Sequence, residues 1–590
     1  MRGSKYIEED SHLKVYDMKL IKRLLSEVLP FMRYVILALV FLLITSLLAL
    51  VGPYLIKIAI DVYIKNKDYS GLNKIVMIFF IILMLQSLTE YIRIYLTQYV
   101  GQRVMYSLRI KVFSHIQNLT ISYFDKNPVG RIMTRVTNDI EVLNEMFNAG
   151  VVTIFSDFVM LVGIVIVLFF MNFKLALITF SVIPILIYIT YAFRKLLRAS
   201  YRDTRAKTAK VNSYLQESIS GVKIIQLFTR EKARHKGFKR INGEFRDAYF
   251  KTITAYSMFF PTIEILGAIS IALIIFFGGQ SVLASAITMG TLVAFIEYLR
   301  KFFLPIRDMT EKFNILQSAM SSAERIYKLL DTESEENVKK CDMSTKRLAG
   351  EIEFKNVWFA YNDDEYVLKD ISFKIAPGEK IAFVGATGAG KTSIVNLIST
   401  FYNIQKGDIL IDGVDIYSYD KYYIRKNIGI VLQDEFTFSG TIKDNITLND
   451  DTVDIERVVK ASKSAYANEF IEKLPGGYDE ILGEGGARLS AGQRQLLSFA
   501  RVLIYDPRIL ILDEATSTVD AHTEYIIQKA TEKLMSDRTS IIIAHRLSTI
   551  KNVDRIFVFH KGQIVEMGTH DELYAKKGVY HKLYELQYKN

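Results

Sequence analysis

Six apolar stretches, all before about residue 310, constrain this chain more than any other feature. They fall near Tyr34–Ile58, Ile75–Val100, Ala149–Met171, Phe173–Ala192, Tyr256–Leu283 and Thr288–Leu304. Crossing the hydrocarbon core of a bilayer takes roughly 20 residues of helix, so each can serve as a span. A soluble bundle would alternate polar and apolar faces, whereas Val35–Val51 carries no charge at all. The reading is therefore a set of membrane spans.

At 590 residues the chain is long enough for two or more domains. Half its residues are hydrophobic while 23% are charged, which fits a chain with its apolar residues concentrated in one part. A single cysteine, Cys341, excludes an internal disulfide and any multi-cysteine metal site. The net charge of +11 admits nucleic-acid binding or basic loops on a membrane protein. Position decides between them. Arg103, Arg109, Lys111, Lys126, Arg131 and Arg135 lie between the second and third spans. A denser set, including Arg194, Arg198, Arg202, Arg205, Lys210, Arg230, Arg234, Lys239 and Arg240, lies between the fourth and fifth. On the opposite side Lys65–Lys74 holds three lysines, Asn172–Lys174 one and Ala284–Ile287 none. Basic loops mark the cytoplasmic side, which places both termini there and accounts for the charge without nucleic acid.

Met1–Pro30 is too polar for a cleavable signal peptide, and Leu20–Leu29 has the helical spacing of an interfacial helix. The two long cytoplasmic connections exceed ordinary loops. Their pattern, as in Glu141–Phe147 and Ala206–Ile219, is helical, so the spans are expected to continue into the cytoplasm. Asp331–Lys346 is charged and poor in large apolar residues, as a linker is. Beyond Glu351 strand-length apolar runs alternate with helical segments, the mark of an α/β domain. The expected organisation is an N-terminal segment (1–30), a helical membrane domain (31–325), a linker (326–350) and an α/β domain (351–590).

Chemistry concentrates in the last part. Gly385, Ala386, Thr387, Gly388, Ala389, Gly390, Lys391 and Thr392 match the phosphate-binding loop, after the strand-like Lys380–Val384 and before a helix opening at Ser393. Glycines let backbone N–H groups approach phosphates at a helix start. Lys391 is placed to neutralise the β/γ-phosphates and Thr392 to bind Mg²⁺. Ile509–Glu514 is an apolar strand ending in two carboxylates. Beside the loop, Asp513 reads as the Mg²⁺-side carboxylate and Glu514 as the residue that polarises water.

Leu489-Ser490-Ala491-Gly492-Gln493 resembles the signature motif of the ABC transporter family, usually LSGGQ. The order of motifs from Tyr361 to His545 is also similar to that family, and the six spans resemble its exporter branch. The resemblance implies ATP and Mg²⁺ as cofactors and Ser490, Gly492 and Gln493 closing over the nucleotide of a second subunit. It further implies Tyr361 as the aromatic that stacks on adenine and Gln433 as the residue that meets Mg²⁺ and relays to the membrane domain. His545 would contact the γ-phosphate, Asp520 would link the two ATP sites, and Glu484 would sense the membrane domain. Ser122–Pro128 and Glu217–Gln226 resemble the family's coupling turns. Ala491 departs from the usual glycine, and such departures in the family often mark chains that pair with a different half.

Within the spans Glu90, Arg93, Asp157, Glu264, Glu297 and Arg300 are ionisable, and such residues seldom face lipid. Glu90 with Arg93, and Glu297 with Arg300, have the spacing of helical pairs; Asp157 and Glu264 have no local partner. Aromatic residues such as Tyr91, Tyr95, Phe259, Phe260, Phe295, Tyr298 and Phe302 are compatible with a permissive cavity or with packing. The fold expected is multidomain: an all-α six-helix transmembrane domain followed by an α/β P-loop ATPase domain. The activity implied is ATP-driven export of amphipathic substrates by a multi-pass protein of the cell membrane, in contact with lipid. Its partner would be a second half-transporter, identical or different. Alternatives are a flippase for lipid or lipid-linked glycan, and an ATP-gated channel or regulatory subunit.

Overall fold

Long helices rich in apolar residues fill the first half of the chain. The computed structural model describes residues 18–335, 347–362, 365–433, 435–486, 488–513, 520–543 and 550–588. These described residues divide into two compact units, one lying within 1–117 and 128–332 and the other within 118–127 and 333–590.

In the first unit the helices are α1 (Met18–Val28), α2 (Met32–Ile58) and α3 (Tyr69–Gln117). Then, after α4 (Ile121–Lys126) of the other unit, come α5 (Val129–Val136), α6 (Asn138–Glu145), α7 (Val152–Met171), α8 (Phe173–Phe180) and α9 (Ile183–Ser220). The last are α10 (Val222–Leu227), α11 (Glu231–Leu273), α12 (Gly279–Leu283) and α13 (Met289–Leu330). On α2, Ala38, Ser46, Ala49 and Pro53 are buried together with Leu42, while Ile36, Val40, Leu43 and Leu47 are exposed. Mostly small residues inside and large apolar residues outside is the arrangement of a helix solvated by lipid.

Among the described residues five helical stretches are long and apolar enough to cross a membrane: Met18–Ile64, Tyr69–Gln117, Val129–Met171, Phe173–Ser220 and Glu231–Leu283. The sixth expected span is one continuous helix, α13, whose apolar stretch contains Glu297, Arg300 and Lys301 and falls short on composition. The fourth span is interrupted between α8 and α9, where Pro184 in the first turn of α9 has no N–H to continue the ladder. The α13 helix runs on to Leu330, past residue 326, where the sequence places the start of the linker.

Four ties fasten these helices. Pro53 cannot donate to the carbonyl of Ala49, and Lys301 Nζ does so instead at 2.8 Å, with Tyr298 Oη on the carbonyl of Leu50 at 2.5 Å. Asp61 accepts from Gly290 N at 2.8 Å and from Thr288 Oγ1, capping the start of α13. Asp139 is held by Ser322 Oγ at 2.9 Å and Arg325 Nε at 3.0 Å. Asp157 has a partner that the sequence does not reveal: Lys312 of α13 forms an ion pair with it. The partner comes from a distant helix, in keeping with the absence of a local one. Glu90 with Arg93 and Glu297 with Arg300 pair as their spacing predicts.

The α1 helix is amphipathic: Leu24 and Val28 are buried in protein, while Met18 and Leu25 are exposed. Glu27 pairs with Lys111 of α3, and Arg23 lies 4.2 Å from the Tyr327 ring while bonding Asp331 through both nitrogens at 2.6 and 2.8 Å. These partners lie beyond the apolar parts of α3 and α13, so α1 is fastened to helix extensions.

The second unit is built on two larger sheets. The antiparallel one has the order β2-β1-β4-β5: β1 (Ile352–Phe359), β2 (Leu368–Ile375), β4 (Lys406–Ile411) and β5 (Val414–Asp415). The other has the order β12-β11-β3-β10-β9-β6 and is parallel except at β12. Its strands are β3 (Lys380–Gly385), β6 (Ile428–Val431), β9 (Ile509–Asp513), β10 (Thr539–Ile543), β11 (Arg555–His560) and β12 (Gln563–Gly568), and a short pair joins β7 (Gly440–Thr441) to β8 (Ile481–Leu482). Ile509–Leu512 and all of β10 are buried, as expected of strands covered on both faces. The helices of this unit include α14 (Lys391–Ile398), α15 (Lys421–Asn427), α16 (Ile442–Thr447), α17 (Ile455–Ser464), α18 (Asn468–Ile471), α19 (Ala491–Tyr505) and α20 (Ala521–Leu534).

Candidate functional site

The carboxyl ends of β3, β9 and β6 lie on one edge of the parallel sheet, the edge where such folds bind ligands. From β3 the chain enters the loop Gly385–Gly390 and then α14. Gly390 is the N-cap of α14 at φ 103°, and a Cβ there would stand 2.7 Å from Leu368. A side chain at Gly385 would strike the carbonyl of Phe559 at 2.4 Å. Glycine at both positions is therefore a steric requirement. Ala386, Thr387, Gly388 and Thr392 are exposed, whereas Ala389, Lys391 and Ser393 are buried.

Lys391 is only 7% exposed, and its Nζ donates to the carbonyls of Gly385 at 2.6 Å and Ala386 at 3.2 Å. Burial pushes its pKa down, while the nearby Asp513 carboxylate opposes that shift. A desolvated ammonium at a helix start, with exposed backbone beside it, is suited to a polyanion. Thr392, Asp513 and Gln433 contribute a hydroxyl, a carboxylate and an amide from α14, the end of β9 and the residue following Leu432. These are hard oxygen donors, and so few of them suit Mg²⁺, which keeps water and phosphate in most of its positions.

Tyr361 stands at the rim, its hydroxyl 3.1 Å from Ser393 Oγ and 3.1 Å from Asn396 Nδ2, with its ring half-exposed. Tyr402 meets that ring edge-on at 5.0 Å, and its hydroxyl bonds Asp125 of α4, which belongs to this unit. Ser490 is the N-cap of α19 in a capping box: Gln493 N donates to Ser490 Oγ at 3.2 Å and Ser490 N to Gln493 Oε1 at 2.9 Å. Gly492 is buried in the first turn. Ala491 opens the helix with negative φ, where a methyl costs nothing locally and favours helix over glycine by about 1 kcal/mol. Asp520 caps α20, accepting from His522 N, Thr523 N and Thr523 Oγ1, and these bonds lower its pKa.

Gln433 is exposed, and two residues on, Glu435 is largely buried near Arg494 and Arg501 of α19. Burial pushes Glu435 up to about 8 against the pull of both arginines. Arg501 donates to the carbonyls of Asn445 at 2.9 Å and Phe436 at 3.2 Å, tying the loop after Gln433 to α16 and α19. Glu514 and His545 lie outside the described residues, and only the backbone is described at Glu484, in a short 3₁₀ turn.

Sequence reasoning missed Asn396, Tyr402, Glu435 and Arg501. The spacing of Arg494 and Arg501, two turns apart on one helix, was a usable signal for one shared face. Tyr402 carried no signal, since its neighbours come from other segments.

A P-loop nucleotide site on an α/β unit, joined on one chain to a multi-pass helical unit, defines an ATPase with a membrane base. The family profile described as ABC transporter transmembrane region matches residues 35–306, and that described as ABC transporter matches residues 368–517. The chain is 40% identical over 571 residues to the uncharacterized ABC transporter ATP-binding protein YknV of Bacillus subtilis, covering 96% of this chain and 94% of that protein. It is 36% identical to an ATP-dependent lipid A-core flippase of Syntrophus aciditrophicus, covering 97% and 95%. A probable multidrug resistance ABC transporter ATP-binding/permease protein, YheH of Bacillus subtilis, is 40% identical over 84% of this chain and 74% of its own. The chain belongs to the ABC transporter family, in its exporter branch, and couples ATP hydrolysis to transport.

Proposed function

We propose that this chain exports amphipathic substrates, in the manner of a multidrug exporter, as half of a homo- or heterodimer. The supporting observation is the phosphate-loop geometry, with Lys391 desolvated at the start of α14 and Asp513 beside it. In this reading Lys391 and the loop amides hold the β/γ-phosphates, and Tyr361 stacks on adenine. Thr392, Asp513 and Gln433 would hold Mg²⁺, which when bound neutralises charge on the phosphates. Glu514 orients and deprotonates the attacking water, His545 contacts the γ-phosphate and Asp520 joins the two sites.

Ser490, Gly492 and Gln493 serve the nucleotide of the partner chain. Ser490 is exposed at the start of α19, where helix-end N–H groups suit a γ-phosphate. Ala491 adds no backbone strain, so the LSAGQ sequence is compatible with a working site. On α10, Val222, Ile224, Leu227 and the following Phe228 are exposed. An apolar tip on a polar loop is suited to burial in a partner chain. The basic connections keep the ATP-binding unit and both termini cytoplasmic.

The relatives named as lipid A-core flippases support a second reading, in which the amphipathic cargo is a lipid. Both readings need hydrolysis. In the purified protein, Glu514→Gln is expected to keep Mg-ATP binding and lose steady-state turnover by roughly 10²–10⁴-fold. Near-normal turnover would overturn the assignment of Glu514.

A further inference from the structure

Where α2 begins and the apolar part of α3 ends, two arginines and two tyrosines meet. The Tyr34 and Tyr99 rings pack edge to face at 5.3 Å. The guanidinium of Arg33 lies 4.8 Å from the Tyr34 ring and donates to its hydroxyl at 3.2 Å. Arg103 repeats the arrangement on Tyr99, at 5.3 Å and 3.2 Å. Both arginines are exposed, and among the described residues neither has a carboxylate partner. Elsewhere in this unit Arg23, Arg93, Arg234, Arg240, Arg246, Arg300 and Arg325 all face acids.

Each tyrosine does two things for its arginine. The ring attracts the cation to its face, and the hydroxyl takes one N–H, which limits the side chain's freedom. The remaining N–H groups of each guanidinium, arranged in a rigid fork, are left for an acceptor. Forks of this kind match phosphate oxygens, and the match is better when the fork is already held. Tyr34 and Val100 mark the ends of the apolar stretches on the side carrying the basic loops. Tyrosine at that depth sits at the headgroup level of a bilayer.

We propose that Arg33 and Arg103, held by Tyr34 and Tyr99, bind the phosphate of an anionic phospholipid in the leaflet on the ATP-domain side. The occupant is a lipid because the cluster adjoins the exposed apolar face of α3, with Leu88, Ile94 and Tyr95 uncovered above it. A soluble phosphate has no use for such a face; two acyl chains do. The site rests on the orientation read from the basic loops, and it is independent of what the transporter carries.

The test is lipid binding to the full-length detergent-purified protein, read by native mass spectrometry and by the thermal midpoint during titration with phosphatidylglycerol or phosphatidylcholine. Phosphatidylglycerol should bind and raise the midpoint, and Arg33→Gln/Arg103→Gln should weaken its apparent affinity on the order of 25-fold, from two surface arginines' worth of attraction. Arg109→Gln, an exposed arginine on the same helix with no tyrosine contact, should leave the affinity within about twofold. Should the double variant not fold, Tyr34→Phe/Tyr99→Phe keeps both charges, removes the hydroxyls that hold the forks, and should still weaken phosphatidylglycerol severalfold. Equal binding of phosphatidylcholine, or an equal loss in Arg109→Gln, would overturn the site. Equal effects of inorganic phosphate or glycerophosphoglycerol would overturn its assignment to a lipid. ATP hydrolysis in detergent without added lipid should be unchanged in these variants, which separates failure of this site from failure of the exporter reading.

Discussion

In the α/β unit the ionisable groups of the site stand at loop ends and are held largely by backbone, whereas in the helical unit they are mostly held by one another. Lys391 is fixed by two carbonyls and Asp520 by two amides and a hydroxyl. Asp157, Glu90 and Glu297 are instead matched to Lys312, Arg93 and Arg300. The difference follows from solvent. Loops and helix ends offer carbonyls to a cation and N–H groups to an anion, so they position a charge locally, and water reaches the site. Inside a bilayer a charge must find an opposite charge or a polar cavity. Local motifs therefore carry the chemistry of the first kind, and long-range pairing carries the architecture of the second.

Breaking a pair in the helical unit is the most direct way to test that contrast. Asp157→Asn leaves Lys312 largely buried without its carboxylate and is expected to cost about 3 kcal/mol. Asp157→Leu combined with Lys312→Met should recover most of it, since a matched apolar pair is often as stable as a buried ion pair. Thermal unfolding in detergent checks both. If the single and the double change cost the same, the pair is not what fastens α7 to α13.

A smaller effect is expected from shape. Gly290 has no room for a side chain: a Cβ would stand 2.5 Å from the carbonyl of Lys57 and 2.7 Å from Asp61. Gly290→Ala should cost roughly 1–3 kcal/mol by overpacking, with the loss read as a lowered unfolding midpoint and ATP affinity unchanged. Lowered ATP affinity with an unchanged midpoint would contradict the packing account.

How much of this was legible in sequence follows the same divide. The phosphate loop, the strand ending at Asp513, the capping-box start at Ser490 and the alternation of strands and helices are contiguous, so residue order exposes them. The spans were legible from length and hydropathy, including the helical continuation beyond the membrane. Pairings set by how helices rotate against each other were not. Asp157 with Lys312, Asp61 at Gly290 and Arg23 with Asp331 join segments far apart in the chain. The break at Pro184 was readable in principle, since proline in an apolar run marks an interrupted ladder.

The α/β unit supplies its own counterexample in Glu435, a carboxyl held by burial near two arginines rather than by backbone. Its pKa is about 8 against an ordinary 4.5, so between those values the folded chain keeps a proton that the unfolded chain has lost. The folded state then binds more protons, and stability falls as pH rises through that window, levelling off above about 8. In Glu435→Gln that part of the pH dependence should vanish, leaving the variant more stable than the parent at pH above 8 relative to pH 5. Parallel unfolding-midpoint curves for the two proteins across this range would show that Glu435 is ionised throughout and paired with Arg494 or Arg501.

The smallest effect is expected at Glu264, which among the described residues lacks the ion pair that Glu90, Asp157 and Glu297 have within the spans. Among the described residues it has no ion pair or hydrogen bond, and it is exposed on α11 while Phe259, Ile263 and Leu266 of the same helix are buried. An ionised carboxylate at the centre of a lipid-facing helix costs about 2.5–3.5 kcal/mol on insertion scales, so this face belongs against water or protein. If it lines the transport cavity, the carboxylate attracts cationic amphiphiles, and one charge in a wet cavity is worth about 1 kcal/mol. Glu264→Gln should then lower transport of a cationic dye by about fivefold at subsaturating concentration and leave a neutral analogue unchanged, measured side by side in inverted vesicles. Equal loss for both cargoes would assign Glu264 to the scaffold, paired in the dimer with a cation from the partner chain. No loss for either would place it outside the cavity, and the helical unit would then hold its charges for architecture alone.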